Sequence, residues 1–367
     1  MRPSIVILYL TLAIATGRPS NCSESWELDN FKTLVTFGDS YTDENRLGYF
    51  GSHNGSAPPV GWDQPVVCPI KCISSTKEGY STSTGGLVWP RYASIYTNTT
   101  LYNYAVSGAV CSNNITPRTW SSINAPFPDI QGYELPAFIA DSKFTRPNGS
   151  AFFTGTPDNT AYAIWIGTND LGNDAFLTDS QVANKTLKDY IDCVYDVVDG
   201  LYKNGARYFV LMNLAPLQLV PQYATPENGG HVSTKYFPDK GPNVTEISWR
   251  MYESVVTVNQ VYAYRTPYVT NILTEYPGIK VANFDVNALI TDIWTHPSLY
   301  LNGTAPLNTT GVVNQCDASG NNCVRSQSPD SYVWFDELHP SEQTDRVVAR
   351  EFVGVLGGES RWATYWG

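Results

Sequence analysis

The chain has 367 residues, 42% hydrophobic and only 16% charged, against roughly a quarter charged in an average soluble domain. Its 24 Tyr, 10 Trp and 14 Phe exclude disorder as the main state. A formal net charge of −11 has the wrong sign for a phosphate-backbone binder, so nucleic acid is a poor partner and neutral substrates such as sugars or simple esters fit better.

Arg2 and the apolar run of 11 residues from Ile5 to Ala15 read as a secretory signal peptide over residues 1–17, with cleavage after Ala15 or Gly17. That run is too short to span a bilayer of roughly 30 Å. No later segment is long enough, and the C-terminus lacks the hydrophobic tail of a lipid-anchor signal. A secreted, extracellular protein with no membrane anchor is expected. Nine N-x-S/T sequons agree with that address, at Asn21, Asn54, Asn98, Asn114, Asn148, Asn184, Asn243, Asn302 and Asn308. So do seven cysteines. Cys68 with Cys72, and Cys316 with Cys323, are close enough to close small loops. Cys22, Cys111 and Cys193 remain, which leaves at least one thiol unpaired. A zinc site at Cys68 and Cys72 lacks a second ligand pair.

Residues 18–367 show no repeats, linker or charge block, so one domain is expected. Five apolar runs read as buried strands: Thr33–Phe37, Leu101–Ala105, Ala161–Ile166, Tyr208–Met212 and Lys280–Phe284. Helical patterns cover Trp89–Tyr96, Ser180–Asn204, Ile247–Tyr276 and Ser341–Val355. This alternation predicts a three-layer α/β arrangement, a central parallel sheet of about five strands with helices on both faces. Segments 44–88, 106–135, 214–246 and 295–335 are rich in Pro, Gly, Asn and Cys. They are long loop insertions expected to shape a binding face.

In open α/β sheets reactive groups gather at the carboxyl ends of the strands. Gly38-Asp39-Ser40 follows the first run, Ser107-Gly108-Ala109 the second, and Gly167-Thr168-Asn169-Asp170 the third. Asp336-Glu337-Leu338-His339-Pro340 precedes the last helix. Serine is a weak nucleophile until a neighbouring base takes its proton, and histidine is suited to that task. Ser40 is therefore the candidate nucleophile, His339 its base, and Asp336 the residue that orients the imidazole. A helix beginning at Ser40 would aim free N–H groups at a developing anion. The oxyanion donors expected are the Ser40 and Gly108 N–H groups and the Asn169 amide. His296 with Asp292 is the best rival pair among the four histidines. Asp39, Asp43 and Asp170 read as hydrogen-bonded scaffold. Trp62, Trp120 and Trp334 lie in loops, either as sugar platforms or as buried anchors.

These four blocks in this order resemble the SGNH (GDSL) hydrolase superfamily, with the name-giving residues falling on Ser40, Gly108, Asn169 and His339. The chain looks most like the secreted fungal acetylesterases of carbohydrate esterase family 16. The likeness spans Phe31 to about Val355, and Ser107 stands where relatives often carry a second glycine. It implies a flavodoxin-like sheet of order 2-1-3-4-5, ester hydrolysis through an acyl-serine, and no metal or cofactor. The expected activity is removal of short acyl groups, most of all acetyl, from carbohydrates such as hemicellulose oligosaccharides, by a monomer. The alternatives are a lipase or phospholipase of the same superfamily, and a secreted carbohydrate-binding protein that has lost catalysis.

Overall fold

The computed structural model describes residues 23–65, 82–121 and 123–367. Five strands run parallel: β1 (Thr33–Gly38), β2 (Thr100–Asn103), β3 (Thr160–Trp165), β4 (Tyr208–Met212) and β5 (Lys280–Phe284). Their order is β2-β1-β3-β4-β5. Every residue of β1 and β3 is buried, as continuous apolar runs demand when helices cover both faces of a sheet. A sixth strand, β6 (Ala363–Trp366), was not expected from the sequence. It pairs antiparallel with β5 and closes that edge.

Eight α-helices surround the sheet among the described residues: α1 (Arg46–Ser52), α2 (Trp89–Thr97), α3 (Leu135–Asp141), α4 (Thr168–Leu171), α5 (Leu187–Lys203), α6 (Val244–Pro267), α7 (Val286–Thr295) and α8 (Glu342–Leu356). Helices α2 and α7 both pack on α8, while α5 packs on α3 and α6, which gives the three layers. Polar caps set the starts. Thr186 and Asp189 form a capping box for α5, and Ser341 caps α8 through the Thr344 N–H. The seven residues before Leu187 are not helical, contrary to the periodicity, because Asn184 is left-handed at φ 65° and the capping box restarts the chain. Helix α6 ends at Pro267, which lacks the N–H that would continue the ladder, and one wider turn follows over Tyr268–Ile272.

Cys316 and Cys323 pair as the spacing predicts. Cys111 pairs with Cys193 of α5, tying the turn after β2 to the helical layer across 82 residues. Cys22, Cys68, Cys72, Asn21 and the signal segment lie outside the described residues. No helix among the described residues is long and apolar enough to cross a membrane.

Candidate active site

Strand β1 delivers the chain to Gly38, where a Cβ would stand 2.2 Å from the Trp165 carbonyl oxygen, so only glycine fits against β3. The Gly38 N–H donates to Glu134, a buried carboxyl that the sequence did not single out. No helix starts at Ser40. Residues 39–43 form one tight turn, in which the Thr42 and Asp43 N–H groups both donate to the Asp39 carbonyl at 3.0 Å. Asp43 then accepts the Arg46 N–H at 2.6 Å, which opens α1. The same carboxylate accepts the Ser107 N–H and hydroxyl, each at 2.8 Å. Ser107, the departure from the usual glycine, thus ties the turn after β2 to the turn after β1.

The last block folds into a short loop closed by the Phe335 N–H donating to the His339 carbonyl at 2.8 Å. Asp336 and His339 face each other across it. His339 Nδ1 lies 2.8 Å from Asp336 Oδ1, and His339 Nε2 lies 2.9 Å from Ser40 Oγ. All three side chains are buried. Asp336 Oδ1 also accepts the Leu338 and His339 N–H groups, and Oδ2 accepts the Tyr236 hydroxyl at 2.8 Å with Lys235 Nζ at 3.4 Å. Burial alone would raise Asp336. The neighbouring imidazole charge and hydrogen bond, with Lys235 and the backbone N–H, outweigh it and hold the carboxyl well below the usual carboxylate range. Tyr41 and Tyr236 pack edge-on against the His339 ring, and the Tyr41 hydroxyl donates to the Leu338 carbonyl. The imidazole is held on several sides.

Gly108 sits at φ 86°, left-handed, with Phe127 2.7 Å from where a Cβ would be. Neither its N–H nor that of Ser40 donates to a backbone carbonyl in the turns and loops among the described residues. Asn169, the second residue of α4, donates from Nδ2 to the Ala109 carbonyl at 2.8 Å, while Arg118 Nη1 donates to its Oδ1. These groups converge on a cavity of about 400 Å³ lined by Ser40, Gly108, Asn169 and His339 together with Arg118 and Tyr236. Its walls come from three of the four long insertions. Segment 295–335 contributes none, because Asn308–Val312 pairs with Tyr332–Trp334 away from the opening. Such a site can take the serine proton, hold the resulting imidazolium and bind an oxyanion.

The rival pair His296–Asp292 is close, at 2.9 Å, but lies exposed at the end of α7. Trp334 is a buried anchor whose indole donates to the Thr309 carbonyl. Trp62 lines a separate cleft along β2, and Trp120 stacks on Phe127 behind the cavity wall. Among the described residues no group of three His, Cys, Asp or Glu side chains is placed to hold a metal ion. Arg118, Lys235, Tyr236 and Glu134 escaped the sequence reading because nothing local marks them. They reach the site from the loop insertions 106–135 and 214–246.

A model of the family described as GDSL-like lipase/acylhydrolase matches residues 34–352. The chain belongs to the GDSL-like lipase/acylhydrolase family. The family resemblance read from the four blocks therefore holds, and the protein is a carboxylic ester hydrolase. The chain is 41% identical over 340 residues to an acetylesterase of Hypocrea jecorina, covering 92% of each. It is 27% identical over 359 residues to an acetylesterase of Thermothelomyces thermophilus, covering 96% of this chain and 95% of the relative. It is 22% identical over 357 residues to a thermolabile hemolysin of Vibrio parahaemolyticus, covering 90% of this chain and 73% of the relative.

Two scaffold carboxyls beside the site carry a stability signature. Burial pushes Asp39 up to about 6, opposed by the Tyr41 N–H and the His339 charge. Burial pushes Asp170 up to about 7, opposed by the Cys111 N–H and the Thr116 hydroxyl. Each binds its proton more tightly folded than unfolded, so its contribution is full below the unfolded pKa near 4 and is lost as pH rises through 6 to 7. Asp336 has the opposite shift, so its contribution persists down to strongly acid pH. The melting temperature is expected to fall from pH 4.5 to pH 7.5, and D170N, which keeps an acceptor for both donors, should flatten part of that slope. Calorimetry across this range tests it; a Tm that rises with pH removes the assignment.

Proposed function

We propose that this protein is a secreted serine esterase that removes acetyl groups from carbohydrate, with Ser40 as nucleophile, His339 as general base and Asp336 as its orienting partner. The observation that carries this reading is the unbroken line from Ser40 Oγ through His339 to Asp336, at 2.9 and 2.8 Å, at the wall of the cavity. Ser40 Oγ attacks the ester carbonyl carbon as its proton passes to His339 Nε2. The carbonyl oxygen becomes an oxyanion facing the Ser40 and Gly108 N–H groups and the remaining N–H of Asn169. When the carbon–oxygen bond breaks, the leaving alcohol takes the proton from His339, and acetyl stays on Ser40. Water then attacks, giving its proton to the same nitrogen, and acetate leaves as Ser40 regains a proton.

Acetyl is favoured by the two fungal relatives named acetylesterases. The polar lining of the cavity, including Ser83, Ser107, Asn173, Gln222 and Lys235, offers hydrogen bonds suited to sugar hydroxyls. Secretion is supported by the apolar start at residues 1–17 and by two disulfides. Of the eight sequon asparagines among the described residues none is buried, so each can carry glycan.

Initial rates on 4-nitrophenyl esters from acetate to laurate test the reading, with Ser40→Ala as blank. A rate that peaks at acetate and vanishes in the variant is expected, with acetylated oligosaccharides as the next substrate. A Ser40-dependent peak at long chains keeps the mechanism and moves the substrate to lipid. No Ser40-dependent rate on any ester leaves a binding protein on a hydrolase fold.

A further inference from the structure

Asn169 is held by two contacts of opposite kind. Its Nδ2 donates to the Ala109 carbonyl at 2.8 Å, and its Oδ1 accepts from Arg118 Nη1. An amide turned the other way would aim N–H at guanidinium and oxygen at a carbonyl, so the pair allows only one orientation. That orientation leaves the second N–H unspent. We propose that Arg118 is a positioning residue for the oxyanion site: it locks the Asn169 amide and polarises it, so that its free N–H meets the developing charge as a stronger donor.

Arg118 is itself placed by a small module. Its N–H donates to Asn113 Oδ1 at 2.9 Å, and its carbonyl accepts the Phe127 N–H at 3.0 Å. Its guanidinium lies 5.5 Å over the Phe127 ring, which stacks on Trp120 with centroids also 5.5 Å apart. Thr119–Trp120 and Ala125–Pro126 pair antiparallel between the two. Phe127 meanwhile packs against Gly108. One hairpin therefore backs both Gly108 and Asn169, although its residues lie 42 to 51 positions before Asn169 in the chain. No ion pair of Arg118 with a carboxylate forms among the described residues, so its charge is not neutralised by contact. The nearest demand on it is the Asn169 carbonyl.

This inference rests on Asn169 being an oxyanion donor, and a double-mutant cycle on 4-nitrophenyl acetate separates the two ideas. N169A is expected to lower kcat by about 10²–10³-fold, and R118Q by about 10–10²-fold with KM nearly unchanged. In the N169A background, R118Q should cost at most about threefold more, because the amide it serves is gone. R118K, which keeps charge but loses the planar fork, should fall between wild type and R118Q, and it replaces R118Q in the cycle if that variant does not fold. A loss for R118Q that is the same in both backgrounds overturns the positioning role. A rise in KM with kcat unchanged overturns it too and makes Arg118 a substrate ligand. N169A at wild-type kcat would sink the oxyanion reading itself, and this proposal with it.

Discussion

Ser40→Ala is expected to lower kcat by a factor on the order of 10⁶ without unfolding the protein. The hydroxyl reaches His339 Nε2 at 2.9 Å and Ser40 is 6% exposed, so alanine removes the proposed nucleophile and one hydrogen bond but leaves no large void. The backbone N–H at position 40 stays in place, because the turn is held by bonds to the Asp39 carbonyl rather than by the serine side chain. The variant should therefore still bind substrate, with a residual rate from the oxyanion groups alone. Pre-steady-state kinetics on 4-nitrophenyl acetate read this directly: the burst of nitrophenolate seen with the parent should vanish. A Ser40→Ala enzyme within about tenfold of the parent rate would remove the acyl-serine mechanism.

Asp336 gives the second large effect, and its two obvious variants should separate. Asp336→Ala strips the acceptor from the Leu338 N–H, the His339 N–H and His339 Nδ1, as well as from Tyr236 and Lys235. A loss on the order of 10⁴ in kcat is expected. Asp336→Asn should lose less. Three donors point at Oδ1, so asparagine must keep its oxygen there and place its nitrogen where Oδ2 was, against the Tyr236 hydroxyl, whose oxygen can accept. His339 then keeps the tautomer whose Nε2 accepts the serine proton, while the negative charge and the acceptor facing the Lys235 ammonium are lost. At an effective dielectric near 20 that charge is worth about 4 kcal/mol at 4 Å, or roughly 10³ in rate. Parallel kcat values for the two variants decide it. An Asp336→Asn enzyme as slow as Asp336→Ala means the tautomer has reversed and the three-donor anchor does not hold the amide.

Most of the frame was legible because it is local. The five parallel strands are apolar runs whose period and flanks need no partner to be read, and all five appear within two residues of their expected ends. The four chemical blocks were legible because each sits where a strand or helix must stop, which places short motifs at the sheet top. Other elements had no such mark. Strand β6 is four residues near the C-terminus, with no alternation strong enough to read, and it becomes a strand only by pairing with β5. The stretch 180–186 looks like helix by composition until Asn184 takes a left-handed turn and Thr186 caps α5. Ser40 looked like a helix start, yet Asp43 captures the Arg46 N–H and delays α1.

Residue identity thus determined the α/β class, the order of the parallel strands by resemblance, the candidate nucleophile, base and acid, and the family to which the chain belongs. The class and the candidate residues rest on short-range physics: strand periods, turn chemistry and the pairing of a weak nucleophile with a suitable base; the strand order and the family rest on the resemblance that the four blocks carry. Only the folded chain decided the rest. It joined Cys111 to Cys193 and closed Tyr236 and Lys235 on Asp336. It also brought Arg118 to the amide of Asn169 across 51 residues. Such contacts are made by side chains from separate insertions that carry no periodic signal. They exist because packing three layers brings the ends of those insertions to one edge of the sheet, where buried polar groups must find partners.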